Sequence, residues 1–111
     1  SNTVAEDVCD QALALVQFDR MMDKRLVTPF FQPIVQIDGS NTIGYEVLAR
    51  SRMFGLETSA AMFSAAAKLN MEVELSQMLR WEGIREGLAL PKGSQIFVNT
   101  HPLELGRPDL L

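Results

Sequence analysis

Apolar and polar positions along this chain follow two rhythms, one of two residues and one of three to four. The period of two is clearest from Thr42 to Arg50, TIGYEVLAR, where Ile43, Tyr45, Val47 and Ala49 alternate with Gly44, Glu46, Leu48 and Arg50. That alternation predicts a strand. Thr28 to Ile37, TPFFQPIVQI, predicts another, and Pro33 marks it as an edge strand or a bulge because proline cannot donate to a ladder. Asp38-Gly39-Ser40-Asn41 is a turn signal between them, and two strands joined by so short a loop must be antiparallel. Pro91-Lys92-Gly93 precedes a third strand, Ser94 to Asn99, SQIFVN. It sets Ile96 and Val98 on one side and Gln95, Phe97 and Asn99 on the other.

The longer period predicts helices. Residues 3–26 form the first, opened by a capping box of Thr3 and Glu6, with Val4, Val8, Ala12, Leu15, Val16 and Met22 at helical spacing. It reads both as a connector from an upstream module and as a helix packed on the body, and Pro29 closes it. Residues 51–57 form a loop containing Gly55. Thr58 or Ser59 then caps a helix running to about Leu69 through Met62, Phe63 and Ala66, and Asn70 breaks it. The next helix runs from about Glu72 to Leu88, with Leu75, Met78, Leu79, Ile84 and Leu88 on its expected buried side. Trp81 and the methionines read as core and covering residues. Strand, helices and strand in that order predict a βαβ unit with a right-handed crossover, hence an α/β fold. Gly106 to Asp109 look like the approach to a further helix begun by Leu110-Leu111.

Composition narrows the function classes. The 111 residues suit one domain; 47% are hydrophobic and 22% charged, enough for a packed core. The net charge of -4, with no basic tract, argues against duplex DNA as a partner. A single small phosphorylated ligand needs only one local arginine. Cys9 is the only cysteine, so neither an internal disulfide nor a cysteine-based zinc cluster is open to the chain, and the count fits a reducing, cytoplasmic compartment. No signal peptide or bilayer-length apolar run stands out, although another region of a longer parent is free to carry an anchor.

Candidate chemistry centres on the second strand. Glu46, Leu48 and Arg50 point the same way over about 13 Å, at roughly 3.3 Å per residue. A carboxylate holds a hard cation, and a guanidinium two steps further holds a phosphate by paired hydrogen bonds. The plain alternative is a surface ion pair on a half-solvated strand. Gln32 reads equally as a polar residue on an edge strand. Asn99, expected at the C-terminal end of its strand, offers a second oxygen ligand where α/β folds build sites. His101, beside Pro102, reads as loop structure. There is no glycine-rich phosphate loop, and one His and one Cys assemble no nucleophilic triad.

Three motifs carry a family resemblance. Phe31-Gln32-Pro33-Ile34-Val35 resembles the first-strand motif of the EAL domain, the bacterial cyclic-di-GMP phosphodiesterase family. Tyr45-Glu46-Val47-Leu48-Ala49-Arg50 resembles its E-A-L-x-R signature, with Val47 where alanine is usual. Phe97-Val98-Asn99 followed by Pro102 resembles its third-strand asparagine motif. The resemblance implies a (β/α)8 TIM-type barrel whose first strand runs antiparallel, of which this chain holds three of eight strands. It divides the chain into a connector helix, residues 1–27, and an incomplete EAL domain, residues 28–111. It also implies that Glu46 and Asn99 ligate metal, that Gln32 and Arg50 contact the cyclic dinucleotide, and that Leu48 packs beside a guanine base. The implied chemistry is hydrolysis of cyclic-di-GMP to linear pGpG by two Mg²⁺ or Mn²⁺ ions.

The resemblance has limits that set further expectations. Such a barrel needs about 250 residues. The family's later carboxylates and its lysine have no counterpart among these residues, so the chain by itself is expected to be inactive and to bind metal poorly. Its parent would carry an upstream sensor or GGDEF module. The rival reading is a degenerate EAL domain that serves as a cyclic-di-GMP receptor or scaffold. A partial barrel also leaves a bare strand edge and apolar residues such as Leu48 and Phe97, which predicts self-association.

Overall fold

The computed structural model describes residues 3–104. Its elements are α1 (Thr3–Lys24), β1 (Thr28–Val35), β2 (Thr42–Arg50), α2 (Ser59–Leu69), α3 (Glu72–Gly87) and β3 (Ile96–Phe97), followed by a 3₁₀ turn at Pro102–Glu104. The fold is mixed α/β, with one three-stranded sheet in the order β1-β2-β3. The expected Gly106–Leu111 helix start lies outside the described residues, as does the Thr3 side chain of the expected capping box.

The hairpin forms as the alternation requires. β1 and β2 pair antiparallel from Thr28↔Arg50 to Val35↔Thr42, with an irregularity between Ile34 and Val35. β1 is an edge strand, and Pro29 and Pro33 lie four residues apart in it, so the positions lacking an N–H both face away from β2. Gln36, Gly39 and Asn41 close the turn through main-chain bonds, and Asp38 accepts from the Ser40 N–H at 2.9 Å. β1 therefore stops at Val35, short of the expected Ile37, which is fully exposed. β2 and β3 pair in parallel at Tyr45↔Ile96 and Glu46↔Phe97. β3 is two residues long where six were expected, so Asn99 lies past the paired strand rather than at its end.

The helices cover one face of this sheet. Thr58 caps α2 by accepting from the Ala61 N–H at 3.1 Å, and Asn70 ends it in the left-handed conformation at φ 54°. Gly83 and Gly87 let α3 lie close on the strands: a Cβ at Gly83 would sit 2.7 Å from a Val47 methyl, and one at Gly87 would overlap Ile96. The core joins α1, α2, α3 and β2 through Phe18, Met21, Ala49, Leu56, Met62, Ala65, Ala66, Leu75 and Met78. Each fully buried large side chain there contributes roughly 1.5–3 kcal/mol.

Three expectations about buried faces need correction. Trp81 is 66% exposed, and Ile84 and Leu88 are also exposed, because α3 turns Leu75, Met78 and its glycines inward and this stripe outward. Along α1, Leu15 and Met22 of the expected stripe pack against the core, but Val4, Val8, Ala12 and Val16 are exposed, and the fully buried residues are Phe18 and Met21. α1 also ends at Lys24, before Pro29, with Arg25 in the left-handed region at φ 53°. That residue aims its guanidinium at the buried Glu82, which also pairs with Arg85.

Candidate functional site

The face of the sheet away from the helices holds the residues the sequence singled out. Gln32 on β1 is the register partner of Glu46 on β2, and Glu46 is the partner of Phe97 on β3. One row across three strands is thus Gln32, Glu46, Phe97. The next holds Phe30 beside Leu48, and the end row Thr28 beside Arg50. Gly44 makes this close fit: a Cβ there would meet the Phe97 ring at 2.7 Å and the Gln95 carbonyl at 2.8 Å. The missing side chain lets the Phe97 ring lie over Gly44 of β2.

Glu46 and Leu48 are half-buried, while Gln32 and Arg50 are exposed. Arg50 donates from one terminal nitrogen to the Ala49 carbonyl at 2.9 Å. Ser59 at the start of α2 donates to the same carbonyl at 3.1 Å. Among the described residues no ion pair joins Arg50 to Glu46, so the plain reading of a mutual surface pair does not describe them. Glu46 presents its carboxylate from the middle of a partly apolar surface, with Phe30, Leu48 and Phe97 around it.

Asn99 stands apart. It is exposed and lies two residues beyond Phe97, the last paired residue of β3. The segment that follows it is fastened to the helices. The His101 N–H donates to Ser76 Oγ at 3.0 Å, and its ring stacks on Phe63 with centroids 5.3 Å apart. His101 Nδ1 accepts from the Leu103 N–H at 3.1 Å, so this histidine serves the loop, as expected.

Sequence reasoning missed the anchor of that segment. Glu104 is fully buried and takes both terminal nitrogens of Arg80, at 2.9 and 3.0 Å, together with the Ser76 hydroxyl. Burial pushes its carboxyl up, but the hydrogen bonds from Arg80 and Ser76 outweigh this and hold it below its ordinary range. Glu82 behaves alike: burial raises it, and the bonds from Arg25 and Arg85 bring it down. The only available signal was Ser76 and Arg80, four apart on one helix, and nothing local pairs them with a glutamate 24 residues on. A cavity of about 230 Å³ opens beside this anchor, lined by Val47, Ser59, Phe63, Leu79, Arg80 and Asn99 among others. It lies on the helix side of the sheet, the side away from Glu46.

The two expected metal ligands are not brought together: Glu46 is on the open face of β2, while Asn99 lies past the paired residues of β3 and lines the helix-side cavity. Among the described residues no group of three or more His, Cys, Asp or Glu side chains comes together to hold a metal ion. These residues therefore do not complete a two-metal centre on their own. No described helix is long and apolar enough to cross a membrane. No protein-family model, curated protein or solved structure matches this chain.

Proposed function

We propose that this chain is the N-terminal part of an EAL domain and that its open sheet face binds one side of cyclic-di-GMP for hydrolysis to linear pGpG. The observation that carries the reading is the shared face of Gln32, Glu46, Leu48 and Arg50 on a hairpin whose first strand runs against the second, while the third runs with it. That strand polarity is the one the family's barrel requires. The three motifs stand in the family's order along it.

In this reading Arg50 leaves the Ala49 carbonyl and pairs with a phosphate, a charge-assisted contact worth about 1.5–3 kcal/mol. Leu48 packs beside a guanine, on a surface that Phe30 and Phe97 keep apolar. Gln32 supplies hydrogen bonds beside Glu46. Glu46 would serve as a ligand for Mg²⁺ or Mn²⁺, with the remaining ligands and the rest of the barrel supplied by further strands of the protein; Asn99, the second ligand the resemblance implies, lines the helix-side cavity here. When bound, such ions supply an activated water and offset charge on the phosphoryl oxygens. Val47, where the family usually has alanine, points to the helix side against Gly83 and leaves Glu46 unobstructed.

The test is turnover by the protein that carries this chain, given cyclic-di-GMP with Mn²⁺ and followed by chromatography. Linear pGpG is expected. Glu46→Gln should lower turnover on the order of 100-fold or more. Arg50→Ala should weaken binding by about tenfold, the lower end of a lost charged hydrogen bond. Tight binding without product would reassign the site to a receptor. Neither binding nor turnover would end the reading.

A further inference from the structure

β3 ends one rung before it could. Tyr45 donates its N–H to the Gln95 carbonyl at 2.9 Å, so the odd-numbered residues of β2 turn their main-chain groups toward β3. The parallel pattern then assigns the next rung to the Asn99 N–H and the Val47 carbonyl. Among the described residues neither group has a partner, and the ladder stops at Glu46↔Phe97. It can lengthen by that rung and no further. The Ala49 carbonyl already accepts from the Ser59 hydroxyl at 3.1 Å, and Thr58 bridges to Arg50 along the same margin.

The gap left by the missing rung is the cavity of about 230 Å³ on the helix side. Val47 and Ala49 of β2 border it, as do Val98 and Asn99 beyond β3, and Phe63 and Leu79 close it from the helices. All of these but Asn99 are apolar. An apolar cavity of about 150 Å³ takes benzene, so this one has room for a bicyclic ring. Ser59 and Thr100 line it too and bring hydroxyls for one polar atom. Arg80 and Ser76 also reach it, but both are committed to Glu104, so an uncharged ligand fits.

Closing the rung would change both sides of the sheet. It draws Val98 against Val47, two walls of the cavity. By the period of two it also sets Asn99 on the face of Phe97, beside Leu48. With strands about 4.8 Å apart and two steps of about 3.3 Å, the Asn99 Cα would stand about 8 Å from that of Glu46. A carboxylate, an amide oxygen and one cation between them span that distance.

We propose that this cavity binds a small uncharged apolar molecule, whose presence holds the last rung of β3 open and keeps Asn99 off the face of Glu46. The site and the rung concern this chain alone; the effect on metal binding rests on the nucleotide reading. Cavity occupant and cation then oppose each other through one hydrogen bond rather than by contending for one place.

Indole is the probe, added to the 111-residue chain and followed by NMR. Saturable shifts are expected at Val47, Phe63, Leu79 and Val98, and Val98→Phe should fill the cavity and abolish them. Hydrogen exchange reads the rung in the unsubstituted chain. Saturating indole should speed exchange of the Asn99 amide severalfold and leave that of Phe97 unchanged. In the protein that carries this chain, indole should raise the Mn²⁺ concentration that gives half-maximal turnover and spare turnover at saturating Mn²⁺. Absent shifts overturn the site, and so do shifts confined to Phe30, Leu48 and Phe97 on the open face. An Asn99 amide that exchanges at one rate with and without indole overturns the latch. Bound indole with an unchanged Mn²⁺ dependence overturns the coupling. If the carrier protein turns over no cyclic-di-GMP, the nucleotide reading falls, while the shifts and the exchange rates still decide the cavity.

Discussion

The two faces of the sheet are built on opposite principles. On the helix side, Val47, Ala49 and Ile96 meet Gly83, Gly87 and the core with no room to spare. The charges buried there are fully matched: Glu104 by Arg80 and Ser76, Glu82 by Arg25 and Arg85. On the open side, Glu46 sits half-buried among apolar neighbours, and among the described residues the Arg50 side chain bonds to its own neighbour's carbonyl. The closed face converts sequence into stability. The open face leaves its polar groups available, and that is the property a ligand needs.

Substitutions break this contrast in a graded order. Glu104→Ala strikes hardest, because it strands Arg80 in a mostly buried site; a loss of about 3–5 kcal/mol is expected in urea unfolding. Gly87→Val comes next, since the new side chain must displace Ile96 and press on Phe31, for about 1–3 kcal/mol by the same measurement. Acid tests the closed face without mutation. Glu104 and Glu82 have folded-state values below their unfolded ones, so their contribution is complete above the ordinary glutamate range and fades as pH falls through the folded values. Stability should therefore drop below about pH 4.3, and Arg80→Met should flatten that drop. On the open face, Leu48→Ser should cost under about 1 kcal/mol. Glu46→Gln should leave the melting temperature nearly unchanged while removing nucleotide turnover. A large loss of stability there would erase the distinction between the faces.

What could be read from the sequence follows range of interaction. The β2 alternation, the Asp38–Asn41 turn, the Thr58 cap and the Asn70 break are local signals, and each stands where the spacing put it. The shared face of Glu46, Leu48 and Arg50 followed from period alone. The exposed Trp81 stripe did not, because helical spacing names a face without saying whether a neighbour covers it. β3 was overestimated for a related reason: SQIFVN alternates well, but only Ile96 and Phe97 have a ladder partner on β2. The buried ion pairs were illegible because Arg25 and Glu82 are 57 residues apart and topology alone joins them.

The two prolines of β1 give the sheet a polarity of growth. With N–H donors missing at Pro29 and Pro33, only Phe31 among those three alternate positions can donate from that margin. A strand arriving from another molecule finds few donors along it. The margin beyond β3 carries no such block. Open-ended pairing between molecules is thereby discouraged on the β1 side, which works against stacking into long ribbons.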